Sequence, residues 1–216
     1  MSRRPTQKLL RPQRELLLAW AGYKDVGQAF VLSLREGPLD LSETRSEVAT
    51  AARERFRRIR EDTNVEHRRE AKEFMLAWFS QRDRKPVAFH LHPQGAVVWV
   101  EDWEYAGSPQ AIATARAVEA SLSYVVIENL GAEQLSLVVL KVLRDSIAAA
   151  APTAMIGGDA QLAQVTDRGV QVLDAAELRA TNDTLDVWEE RSAELLPGAA
   201  APAKKPPPDR GLKPPS

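Results

Sequence analysis

Apolar residues recur along this chain with two different spacings, and the change from one to the other divides it. Leu16, Leu17, Trp20 and Ala21 fall at helical steps behind Pro12 and predict a short amphipathic helix ending at Gly22. A second helix is expected from Asp25, a favourable N-cap residue, through Ala29, Phe30, Leu32 and Leu34 to Gly37, where Gly37-Pro38 breaks the chain. Capping-box signals follow at Asp40/Glu43 and Thr44/Glu47. Val48, Ala52, Phe56, Ile59 and Thr63 then recur at three- and four-residue steps, and Ala71, Phe74, Met75 and Trp78 resume the stripe after a weak patch near Asn64. With neither Pro nor Gly between Asp40 and Lys85, the pattern predicts one long charged helix over about 42–80. Such a helix either bends near Asn64 and packs on its own sheet or extends as a coiled-coil arm or dimer seam.

From Pro86 the spacing becomes two. Val87, Phe89 and Leu91 alternate with Ala88, His90 and His92; the Pro93-Gln94-Gly95 turn and the run Ala96–Val100 complete a β-hairpin. The expected register puts Val87, Phe89, Leu91, Ala96, Val98 and Val100 on one apolar face, and Ala88, His90, His92, Val97 and Trp99 on a half-buried one. Strand and helix then alternate: a Ser108-Pro109 helix start, a short strand at 124–127, a helix over 131–149, and a strand at 154–156 followed by Gly157-Gly158-Asp159. A closing hairpin is expected at 163–173 around Asp167-Arg168-Gly169, and a last helix over about 175–196. Helices between short apolar strands imply right-handed crossovers in a parallel sheet. The expected class is therefore α/β: a helical N-terminal region with a long charged helix, then a mixed β-sheet with βαβ crossovers and flanking helices. Residues 1–11 read as a flexible basic arm, 12–85 as the helical region, 86–196 as the α/β domain, and 197–216 as a disordered Pro/Ala/Lys-rich tail.

Composition narrows the chemistry. The chain has 216 residues, 44% of them apolar, and no cysteine, which excludes disulfides, thiolate metal sites and cysteine nucleophiles and fits a cytoplasmic address. The longest apolar-rich stretch is interrupted by Lys141, Arg144 and Asp145, so no membrane span is expected. The net charge of −1 conceals an asymmetry: residues 1–14 carry only basic charges, whereas acids outnumber bases two to one from Arg84 to Gly198.

Three constellations could carry function. Arg53, Arg55, Arg57, Arg58 and Arg60 crowd five guanidinium groups into eight residues, a pattern for phosphate contacts with nucleic acid, though Glu61, Asp62, Glu66, Glu70 and Glu73 follow and a solvated helix face competes with that reading. Asp102, Glu128 and Asp159 each follow an expected strand; carboxylates gathered at one sheet edge suit Mg2+ and would allow phosphoryl transfer or nuclease chemistry. His90 and His92 lie two apart on a strand and project from one face, as two metal ligands would, with His67 as the one other histidine to supply a third.

The segment Val97–Asp102, with Glu101 and Asp102, resembles the first strand and acidic pair of a bacterial receiver domain, and Tyr124–Asn129 resembles its second strand, which implies a phospho-accepting role for Asp159. The resemblance fails on spacing, because the helix after Asn129 is too long, and no lysine follows a late strand. The preferred expectation is a non-catalytic interaction or regulatory protein, meeting a protein partner, a second copy of itself or nucleic acid through the basic N-terminal helical region. The metal-dependent enzyme is the alternative.

Overall fold

The computed structural model describes residues 9–21, 24–62, 73–101, 103–106, 109–122, 129–149 and 160–195. The first two strands, β1 (Leu9–Gln13) and β2 (Leu16–Ala21), form a hairpin, followed by helices α1 (Lys24–Glu36) and α2 (Arg45–Asp62). Strands β3 (Glu73–Ser80), β4 (Lys85–Leu91) and β5 (Val97–Val100) complete a five-stranded antiparallel sheet in the order β1-β2-β3-β4-β5.

The mixed α/β class expected from the sequence holds, with a different distribution of elements. Residues 16–21 are a strand where a short helix was expected, and Leu9–Arg11 belong to β1 rather than to a loose arm. The long charged helix is 18 residues, α2, and residues 73–80 beyond it are β3. Leu16–Ala21 and Phe74–Phe79 are continuous apolar runs, and such runs satisfy helical and strand spacings alike. Pairing in the sheet decides between them. The sheet among the described residues is antiparallel throughout; the strands expected at 124–127 and 154–156, on which the parallel crossovers rested, lie outside the described residues.

One face of the sheet makes the core. Cross-strand pairs Leu16↔Trp78, Leu18↔Leu76 and Trp20↔Phe74 continue into Trp78↔Val87, Leu76↔Phe89 and Phe74↔Leu91. All of these are buried, and the helices cover them with Val26, Phe30, Val31, Leu34, Val48, Ala52 and Phe56. At the centre, Phe30 of α1, Phe56 of α2 and Phe74 of β3 meet with ring centroids 4.7–5.9 Å apart. Burying each such ring contributes about 1.5–3 kcal/mol before edge-to-face geometry adds to it. The start of α2 is the expected capping box: Thr44 N donates to Glu47 Oε2 at 2.9 Å, and Glu47 N donates back to Thr44 Oγ1 at 3.3 Å.

The hairpin at β4–β5 pairs Leu91 with Val97 and Phe89 with Trp99, so Val97 and Trp99 join the core face while Val98 stands opposite His90. That is one residue off the expected register. The loop 92–96, closed by His92 N to Ala96 O and by Gly95 at φ 85°, sets it, and a one-residue change in register exchanges the two faces of a strand.

A second hairpin, β6 (Ala163–Thr166) and β7 (Gly169–Val172), approaches the opposite face of the sheet, with β6 against β3 and β4 and β7 against β1, β2 and β3. Its turn matches the sequence expectation, with Gly169 at φ 111°. Helices α3 (Pro109–Ala120), α4 (Ala132–Ala149) and α5 (Ala175–Leu195) pack consecutively, and Gln164 of β6 donates to Ser136 Oγ of α4 at 2.8 Å. Lys141 bridges Asp145 and Glu189, while Arg144 grips Asp186 and Glu189, so α4 and α5 are joined by charge as well as packing. Among the described residues, no helix is long and apolar enough to cross a membrane.

Gly27 tests how tightly α1 seats on the sheet. A Cβ there would stand 2.5 Å from Cε2 of the buried Trp20 indole. Helix propensity alone favours Gly27→Ala by roughly 1 kcal/mol, but overpacking costs about 1–3 kcal/mol and the indole in the way is a rigid, buried ring. Gly27→Ala should therefore lower the urea midpoint; a raised midpoint would show that the contact relaxes freely.

Candidate metal centre

The alternation that sends Phe89 and Leu91 into the core sends His90 and His92 to the other face. Their rings lie 4.0 Å apart between centroids and 31° from parallel. Antiparallel pairing places Met75 opposite His90, so Glu73, two residues earlier on β3, projects from the same face and reaches the same ring. Glu73 Oε2 lies 3.7 Å from His90 Nε2. One ligand-capable atom from each of Glu73, His90 and His92 lies within 4.8 Å of the others. Donors around a tetrahedral zinc ion, bound at about 2.0–2.2 Å, stand roughly 3.4 Å apart, so small side-chain rotations close the triad.

His90 is the centre of this group and is only 1% exposed. Its Nδ1 lies 3.4 Å from Glu104 Oε1, in the segment after β5, and its Nε2 has no hydrogen-bond partner. A buried polar nitrogen left unpaired costs about 1–3 kcal/mol. Burial, together with the neighbouring His92, holds the His90 pKa below the ordinary histidine value of 6.5, against the pull of Glu73 and Glu104. The ring is thus biased toward the neutral form that binds metals.

The other expected sites fare differently. Asp102, Glu128 and Asp159 all lie outside the described residues, as does His67. Among the described residues, the structure brings Glu73 to the two histidines. No local signal in the sequence marks Glu73, whose place beside the histidines follows from the pairing of β3 with β4. The five arginines of α2 do not form one surface. Arg55 donates to the carbonyls of Ser33 and Gly37 and so ties α2 to the end of α1, and Arg60 donates to the Pro93 carbonyl beneath the β4–β5 turn. Arg57 pairs with Glu61 at 3.3 Å. Arg53, Arg57 and Arg58 remain exposed. β5 is an antiparallel neighbour of β4, unlike the first strand of a parallel receiver sheet.

The chain matches no protein-family model and no curated protein.

Because the folded pKa of His90 lies below its unfolded value, the unfolded chain takes up this proton first as pH falls. Its contribution to stability is complete above the ordinary histidine value and is lost as pH drops below it. In chelator-treated protein, the urea midpoint should decline between pH 7.5 and 5.5, and His90→Asn should flatten that decline. An unchanged slope in the variant would remove His90 from the account.

Proposed function

We propose that this chain is a metal-binding protein that holds a divalent transition-metal ion of the zinc class on Glu73, His90 and His92. The observation that carries the reading is the buried, unpartnered Nε2 of His90, with the Glu73 carboxylate 3.7 Å away and the His92 imidazole beside the ring. Two imidazoles and one carboxylate make a borderline donor set suited to zinc, and Mg2+ or Ca2+ prefer oxygen ligands alone. Three protein donors leave a fourth position for water or for a donor from a partner. An ion here would crosslink β3 to β4 in the middle of the sheet, and binding only the folded state would stabilise the fold.

Zinc should bind the purified protein, read by competition against a chromogenic chelator, and raise the unfolding free energy measured in urea by an amount that grows with free zinc, about 2.7 kcal/mol at a hundredfold excess over Kd. His92→Ala or Glu73→Gln should weaken binding by about 100-fold or more while leaving the metal-free circular dichroism unchanged. Magnesium should not compete. Wild-type protein with no zinc affinity in the micromolar range would sink the proposal.

A second reading, contact with an anionic partner such as nucleic acid, is favoured by one observation: Arg53, Arg57 and Arg58 are exposed along α2. Binding of short DNA that weakens steeply between 50 and 200 mM salt, and that Arg53→Ala with Arg58→Ala removes, would support it. Binding unchanged in that double variant would end it.

A further inference from the structure

We infer that Glu104 is the positioning residue of this centre: it fixes the tautomer of His90 and so aims the Nε2 lone pair at the metal position. The inference rests on the metal reading above and adds to it a group that does not touch the ion.

The argument is one of proton bookkeeping on a single ring. A neutral imidazole carries one N–H, and the proton stays where an acceptor faces it. At Nδ1 the acceptor is Glu104 Oε1, 3.4 Å away. At Nε2 the Glu73 carboxylate oxygen is 3.7 Å away, and this nitrogen has no hydrogen-bond partner. The geometry favours the proton on Nδ1, leaving Nε2 as an unprotonated donor on the side of Glu73, within the cluster that His92 completes. Glu104 is itself held: the same Oε1 accepts from Tyr105 N at 3.2 Å. Tyr105 OH in turn donates to Glu119 Oε2 on α3 at 3.0 Å, and its ring lies within 5° of parallel to that of Trp103. A carboxylate on the far nitrogen of a ligating histidine fixes the ring and raises its basicity. The Trp103–Tyr105 segment therefore supports the centre from outside, and α3 anchors that segment.

The geometry also separates the two roles of the carboxylate. Glu104→Gln keeps an oxygen that can accept from both Nδ1 and Tyr105 N, while it loses the charge and exchanges the second oxygen for an NH2 donor. Glu104→Ala removes the acceptor, so the proton can move to Nε2 and occupy the lone pair that the metal needs.

The test uses three full-length proteins, wild type, Glu104→Ala and Glu104→Gln, with cobalt(II) and zinc as probes. Histidine 15N shifts of the metal-free proteins should report the Nδ1–H tautomer at His90 in wild type and in Glu104→Gln, and a shift toward Nε2–H in Glu104→Ala. Zinc affinity should fall 10–100-fold in Glu104→Ala and recover in part in Glu104→Gln. The tautomer shift separates positioning from a merely structural role, and thermal unfolding controls for loss of fold. If Glu104→Ala unfolds, the wild-type shifts and Glu104→Gln still decide: an Nε2–H tautomer in wild type overturns the inference. Wild-type zinc affinity retained in Glu104→Ala overturns it as well, leaving the metal reading intact. Wild-type protein that binds neither ion, with Nδ1–H observed at His90, overturns the metal reading and with it the role of Glu104 toward an ion.

Discussion

The meeting of Phe30, Phe56 and Phe74 is the contact on which the rest of the structure depends. Each ring comes from a different element, two helices and the middle strand, and each is fully buried. With Phe74 fixed on the helix side of the sheet, the pleat sends Glu73 and Met75 to the other side without further specification. The same constraint passes across β4, where Leu91 and Phe89 continue the core and His90 is left facing away from it. The position of the candidate centre is thus a by-product of where the hydrophobic core closes. Its chemistry comes only from which polar residues occupy the alternate positions.

Much of the architecture could be read from the residues, where local signals were strong. The capping box at Thr44 and Glu47, the proline start of α3, the span of α4 and the glycine turn at Gly169 all act through a few neighbouring atoms, and all are present in the structure. The errors fall where the sequence has no local arbiter. The β3–β4 turn has neither Gly nor Pro; it is built from Ser80 and Asp83, which hydrogen-bond each other, and from Arg84 in the left-handed region at φ 54°. Without a turn signal, the apolar run before it continued the helical stripe of α2. The two histidines were legible as a pair because their spacing of two is local. Glu73 was not, since its place beside them follows from strand pairing across a turn that no residue announces.

The basic helix shows the converse. Five arginines in eight residues look like a surface for an anion, yet two of them terminate other elements, Arg55 at the end of α1 and Arg60 at the β4–β5 turn. A guanidinium group offers five donors, and carbonyls left open at helix ends and turns are a common use for them. Charge density along a sequence overstates charge available to a partner whenever the neighbouring backbone has acceptors to satisfy. The ion pairs of Lys141 and Arg144 with α5 make the same point at the other end of the chain.

The one-residue alternation on β4 has a consequence for misfolding. Phe89 and His90 are neighbours with opposite destinations, and a slip of β4 by one position would carry both imidazoles into the space among Leu76, Phe30 and the other helix-facing side chains while expelling Phe89 to the far side. Two rings that need hydrogen bonds cannot be solvated there. The histidines therefore act as a guard on the strand's alignment: they make the wrong pairing costly whether or not an ion is ever bound.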